Sequence, residues 1–489
     1  MPPPDKDNQP DDRSLVPRPK SELARAGEEV KSSKLEKCGL SDVWIRKGRS
    51  SFEKGDYDQA VEEFSEAILL EPDCYVAWRW RGNAYREKGD DNQALDNFNR
   101  AILLEPEDEK NWSMRSTAYA KKGSYVQAIS DSNEAIRLKP DYAGAWSNRG
   151  WTYERKGDYD QAIKDYSEAI RLKPDFAGAW SNRGRTYERK GDYDQAIKDY
   201  SEAIRLKPDF AGVWSNRGRI YGRKGDYDQA IRDFSEELLL DPKNPDGWRW
   251  RGMAYLDKGE YDWSIKDFSE AIRLDPESVL AWFYRGLAYY NKGDYDQAIK
   301  DYSEAIRLGP DNAYNWHNRS SAYGRKGNYD QAIKDASVAI RLKPGVAYAW
   351  FNRGFNHARK GDYDQAIKDF SEAILLDPEN VRSWFYRGLA YYNKGDYDQA
   401  IKDYSEAIRL KPDFSRAWGG RGIAYAKKGD YGQAVRDYSE VIELDPEDVE
   451  DTMAWHNRGI AYRELGNEAK AKADFLKAEE LEARAKSKP

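Results

Sequence analysis

Apolar and small residues recur along this chain at helical spacing, in two alternating segments. Trp146, Gly150 and Tyr153 stand at steps of four and three, on one face of a helix. Tyr159, Ala162, Ile163, Tyr166, Ala169 and Ile170 carry the same step onto a second helix. Lys156-Gly157-Asp158 separates the two. Gly157 suits the left-handed residue that ends a helix. Asp158, with Gln161 three residues on, reads as a capping box that opens the next helix. Pro174 stops that helix, since proline lacks a backbone donor and clashes with the turn before it. Each unit is therefore expected to be two antiparallel helices joined by a tight turn. Gly150, Ala162 and Ala169 are small enough to let the two backbones approach closely.

The unit recurs every 34 residues, and residues 155–176 and 189–210 are identical. Copies begin at Ser41, Tyr75, Glu109, Ala143, Ala177, Ala211, Pro245, Val279, Ala313, Ala347, Val381 and Ser415 in strict register. A thirteenth begins near Thr452, three residues late, through extra residues around Val449-Glu450-Asp451. Its second helix, Glu468 to about Lys486, lacks the closing proline and is rich in Lys and Glu, as a terminal cap requires. The expected organisation is a disordered or weakly helical tail over 1–40, twelve repeats over 41–451, and a thirteenth repeat with a capping helix over 452–489. Leu23, Val30 and Leu35 carry the weak helical pattern of the tail.

The motif W-x2-R-G-x2-Y-x8-A-x3-[YF]-x2-A-x4-P resembles the tetratricopeptide repeat family. The resemblance implies an all-α, alpha-alpha superhelix: a right-handed solenoid of about 13 helix-turn-helix repeats. One departure is systematic. An Arg precedes the Gly where the family has Leu, and an Asp nearly always lies sixteen residues downstream. The pairs Arg149/Asp165, Arg183/Asp199, Arg217/Asp233, Arg251/Asp267, Arg285/Asp301, Arg353/Asp369 and Arg387/Asp403 are expected to tie the first helix of each repeat to its second. Lys47/Glu63 keeps the opposed charges in the first repeat. Two repeats lose the consensus packing. Ser116 and Ser132 replace the Gly and the second-helix ring in repeat three, and Ser320 and Ala336 do so in repeat nine. Neighbouring side chains are expected to refill these spaces, with softer joints as the alternative.

Composition fits a thin array with much surface: 39% hydrophobic, 34% charged, mean hydropathy -0.98. The net charge of -7 gives no global attraction for nucleic acid. No apolar run is long enough for a membrane span, and the first residues do not form a signal peptide. Cys38 and Cys74 make no disulfide framework, which favours a reducing, cytoplasmic setting. His317, His357 and His456 have no His or Cys at metal-ligand spacing and read as substituted repeat positions. No phosphate loop or dinucleotide fingerprint is present, so neither a catalytic role nor a cofactor is expected.

In the family the first helices line the concave face, so partner contacts are expected there. Two residues after the Trp stand Asn148, Asn182, Asn216, Asn318 and Asn352, whose amides can donate to and accept from an extended peptide backbone. From repeat seven the same face turns apolar, with Trp250, Phe283, Tyr284, Leu287, Tyr290, Phe351, Phe355, Phe385, Tyr386, Leu389 and Tyr392 as candidate anchors. Packing against the next repeat is the competing role for these rings. The lysines with which some family members clamp a terminal carboxylate are missing from repeats four to six, which have Ser147, Ser181 and Ser215 and Gly144, Gly178 and Gly212 instead. The resulting reading is a non-catalytic scaffold or adaptor that binds proteins or peptides. The alternatives are a targeting or regulatory subunit of an enzyme or chaperone complex, and a recently duplicated array without a dedicated ligand.

Overall fold

The structure is a computed structural model that describes Gly39, residues 41–444 and residues 452–486. Most of the N-terminal tail and the extra residues at 449–451 lie outside the described residues. Among the described residues there are 26 helices and no strand. They fall into thirteen consecutive pairs, from Asp42–Lys54 with Tyr57–Leu70 to Thr452–Glu464 with Glu468–Lys486. The chain divides into two compact units, Met1–Glu260 and Tyr261–Pro489, with the boundary inside the turn of repeat seven. Within each unit consecutive helices pack on one another.

The punctuation of each pair follows its residues. Gly157 takes φ 88°, and its N–H donates to Glu154 O at 3.0 Å. The Asp158 N–H donates to Tyr153 O at 2.9 Å, which completes a left-handed C-cap. The Asp158 side chain then accepts from the Gln161 N–H at 3.3 Å. Only half of the expected capping box is therefore used. The Asp158 N–H, which Gln161 would have served, is already spent on closing the helix before it.

The proline that ends each second helix has a further role. Its carbonyl accepts the indole N–H of the Trp six residues on, as in Trp180 to Pro174 at 2.9 Å and Trp384 to Pro378 at 2.9 Å. Repeats one to twelve are thereby fastened each to the next by a bond between two consensus positions.

The Gly of each first helix faces the second-helix ring. A Cβ on Gly150 would stand 3.1 Å from the Tyr166 ring, and one on Gly184 3.0 Å from Tyr200. Where the ring is missing, the glycine is missing too. Ser116 and Ser132 are both fully buried, and their hydroxyls lie 2.6 Å apart. Ser320 donates to Ala332 O at 2.7 Å. The first helices of repeats three and four also pack more tightly than most first-helix neighbours. The spaces are closed by hydrogen bonds and by helix approach.

Cys74, 1% exposed just ahead of helix Tyr75–Lys88, is disulfide-bonded. This corrects the expectation of two unpaired thiols and removes the cysteine argument for a reducing compartment. The one other cysteine, Cys38, lies outside the described residues.

Candidate interaction surface

The first helices are held by the arginine that distinguishes these repeats. Arg149 meets Asp165 with two parallel bonds, Nε to Oδ2 and Nη2 to Oδ1, both 2.7 Å. The same fork joins Arg183/Asp199, Arg217/Asp233, Arg285/Asp301, Arg353/Asp369 and Arg387/Asp403 at 2.7–2.8 Å. It extends to Arg115/Asp131, Arg319/Asp335, Arg421/Asp437 and Arg458/Asp474, which the sequence reading did not single out. The members of Arg251/Asp267 belong to different units. The third donor reaches back one repeat: Arg183 Nη1 donates to Ser167 Oγ at 2.9 Å. The guanidinium also stacks on its own repeat's Trp, with Arg183 Cζ 4.8 Å from the Trp180 ring centroid. One side chain thus ties together two second helices and a ring. Burial raises the Asp165 carboxyl above its ordinary range, and the Arg149 fork only partly offsets it. Repeat one departs from the scheme, because Lys47 lies over the Trp44 ring and Glu63 accepts from Ser51 Oγ at 2.6 Å. The opposed charges of Lys47 and Glu63 do not pair.

The five asparagines all lie on first helices and are half-buried. Three of them spend their amide nitrogen within the fold. Asn148 donates to Ser113 Oγ at 2.9 Å, Asn318 to Tyr314 O at 2.8 Å, and Asn352 to Ser321 Oγ at 3.1 Å. Asn182 and Asn216 use only the carbonyl, which accepts from Arg185 at 3.0 Å and Arg219 at 2.9 Å.

The aromatic positions divide by depth. Phe283 and Tyr284 are 4% and 8% exposed, so these two are packing residues rather than exposed rings. Tyr284 stacks on Phe268 at 5.9 Å, and Phe283 meets Tyr302 at 5.8 Å. Phe351, Phe355, Phe385, Tyr386, Leu287, Leu389, Tyr290 and Tyr392 are half-buried. Each of the rings touches a neighbour, for example Phe355 with Tyr386 at 5.3 Å and Tyr290 with Tyr295 at 5.4 Å. Trp250 packs on Phe234 and Ala254, and carries Arg249 at 5.0 Å and Arg219 at 5.8 Å on its ring.

Repeats four to six place a charged network on the same face. Glu154 accepts from Arg185 Nε at 2.9 Å and from the Tyr166 hydroxyl at 3.0 Å. Glu188 accepts from the Tyr200 hydroxyl at 3.1 Å. Beside it a single departure from the pattern introduces a buried acid. Glu237 occupies the place of Ala169 and Ala203, is 3% exposed, and accepts from Asn244 at 3.0 Å. Gly247, in the place of Ala145, makes room, since a Cβ there would stand 3.3 Å from Glu237 Cδ. Burial pushes the Glu237 carboxyl up to about 7, against weaker opposing bonds from Ser215 and Asn244. The sequence signal was the paired loss of two alanines, Glu for one and Gly for the other.

His317 is 4% exposed against Tyr348, and burial lowers its pKa to about 4. His456 lies 5.4 Å from Phe475, and His357 Nδ1 3.3 Å from Asp362. Among the described residues no cluster of His, Cys, Asp or Glu is arranged to hold a metal ion. No helix among them is long and apolar enough to cross a membrane.

A family model described as tetratricopeptide repeat matches residues 45–111, 113–175, 147–209, 215–265, 253–313, 356–415, 388–449 and 420–487. A second model of the same repeat matches 313–345. Similar solved structures include MamA, at 27% identity over 34% of this chain and 96% of that one, with TM-score 0.32. Yeast Tom70 is 18% identical over 84% of this chain and 99% of that one, with TM-score 0.38. The APC/C hetero-tetramer Cut9-Hcn1 is 15% identical over 92% and 96%, with TM-score 0.40. These scores are low, and the family rests on the repeat models. No curated protein sequence matches the chain. Thirteen helix pairs cut to one 34-residue pattern, matched by repeat models over most of their length, make this chain a member of the tetratricopeptide repeat family.

Proposed function

We propose that the chain is a non-catalytic scaffold that holds extended peptides or partner helices against the face formed by its first helices. Arrays of this repeat typically serve as protein-interaction scaffolds. One observation carries the assignment to this face. Repeats four, five, eight and eleven have the same second helix, YDQAIKDYSEAIRL. Their first helices differ at the half-buried position five after the Trp, with Trp151 and Arg185 in two and Leu287 and Leu389 in the others. Residues that only hold the stack together have no reason to diverge on one helix and stay fixed on the other. Asn182 and Asn216, with free amide nitrogens, and the half-buried Leu287, Tyr290, Phe355, Tyr386, Leu389 and Tyr392 are the proposed contacts.

Selection of binders from a displayed peptide library, followed by hydrogen exchange on the complex, tests this. Slowed exchange should fall in first helices such as Val279–Lys292 and Val381–Lys394. Protection confined to second helices, or a library that yields no binder, would overturn the proposal.

A further inference from the structure

We propose that the first-helix face of repeats four to six takes an extended acidic peptide with a carboxylate at every third residue. This rests on the scaffold reading and names the chemistry of its partner. Arg155, Arg189 and Arg223 occupy one register position of three successive first helices, and Arg185 and Arg219 another, one turn earlier. Four of these guanidiniums stand beside two carboxylates. Arg185 and Arg189 stand 2.9 and 3.6 Å from Glu154, and Arg223 and Arg219 stand 3.5 and 3.9 Å from Glu188.

The acids lie deep and the bases lie outward. The Glu154 and Glu188 side chains are 2% and 10% exposed, while those of Arg189 and Arg223 are 43% and 42% exposed. Tyr166 and Tyr200 already donate to the two carboxylates from below. Arg219 Nε is buried with no hydrogen-bond partner. In repeats five and six the outward members of these clusters are thus guanidiniums, although the whole chain carries -7.

Geometry sets the period of the partner. Packed helices stand about 10 Å apart, and an extended chain advances about 3.4 Å per residue. One repeat thus spans about three peptide residues, so every third side chain meets the next set of guanidiniums. Arginine forks suit carboxylates, and the amide nitrogens of Asn182 and Asn216 are available to the peptide's carbonyls. The chemistry asked for is a side-chain carboxylate within the peptide. Ser147, Ser181 and Ser215 at the lysine positions offer no clamp for a chain terminus.

The test is fluorescence anisotropy on the full chain with peptides blocked at both ends. One carries Asp at every third position, one has Asn at those positions, and one gathers the same number of Asp into a block. The spaced Asp peptide should bind roughly tenfold tighter than either control, and added salt should erase the advantage. The Arg189→Gln, Arg223→Gln double variant alters exposed positions and should bring the Asp peptide down to the Asn level. Equal binding of the spaced Asp and Asn peptides overturns the proposal, as does an undiminished affinity in the double variant. Should the Asp peptide fail while library-selected peptides still bind the first helices, only this inference falls. Should no peptide bind at all, the scaffold reading falls with it.

Discussion

The Arg183 guanidinium meets the Asp199 carboxylate edge to edge, Nε to Oδ2 at 2.7 Å and Nη2 to Oδ1 at 2.8 Å. Asp199 is 2% exposed. Arg183→Met leaves a buried charge with no counter-ion, and is expected to cost roughly 3 kcal/mol. Adding Asp199→Leu removes the orphaned charge and should recover most of that loss. Hydrogen exchange across Ala177–Leu206 reads both effects locally. A single variant as stable as the parent would show that the fork does not hold the hairpin.

Glu237 predicts a pH dependence of defined sign. Its folded pKa of about 7 lies above the ordinary 4.5, so the folded chain releases this proton later than the unfolded one. The contribution of this residue to stability is complete below about 4.5 and is lost as pH rises through about 7. Glu237→Gln should match the parent in acid and exceed it above neutrality, by on the order of 3 kcal/mol. Denaturation of both proteins at several pH values measures the difference. A constant gap would contradict the burial argument.

His317 has the opposite sign. Its folded pKa of about 4 lies below 6.5, so its contribution is present above 6.5 and lost as pH falls through 4. Exchange in Ala313–Arg325, corrected for the intrinsic rate, should quicken between neutrality and mild acid. His317→Asn should flatten that response.

Restoring the consensus in repeat three is expected to fail. The Ser116–Ser132 hydroxyl contact and the closer first helices have used the space a ring would need. The Ser116→Gly, Ser132→Phe double variant should lose about 1–3 kcal/mol through overpacking. A rise in stability would mean that the space is open.

Much of the fold was legible because each helix end is written in residues with one physical use. Gly157 takes the left-handed turn, Asp158 caps, and Pro174 stops. The arginine forks were legible because an Arg and an Asp recur together at a fixed spacing in repeat after repeat. The Trp180–Pro174 bond was hidden, because its acceptor is a backbone carbonyl that no side chain advertises. The depth of Phe283 and Tyr284 was hidden for a different reason. Helical spacing gives the direction of a side chain from its own axis, while its cover comes from Phe268 on one side and Tyr302 on the other. The half-buried Leu287 stands on that same helix.

The scaffold account is tested most directly by calorimetric affinity for one library-selected peptide across two sets of variants. Tyr290→Ser with Leu389→Ser alters first helices, whereas Leu239→Ser with Leu375→Ser alters second-helix leucines that are 76% and 73% exposed. The account predicts that the first pair abolishes binding and the second leaves it unchanged. Loss of affinity only in the second pair would contradict it.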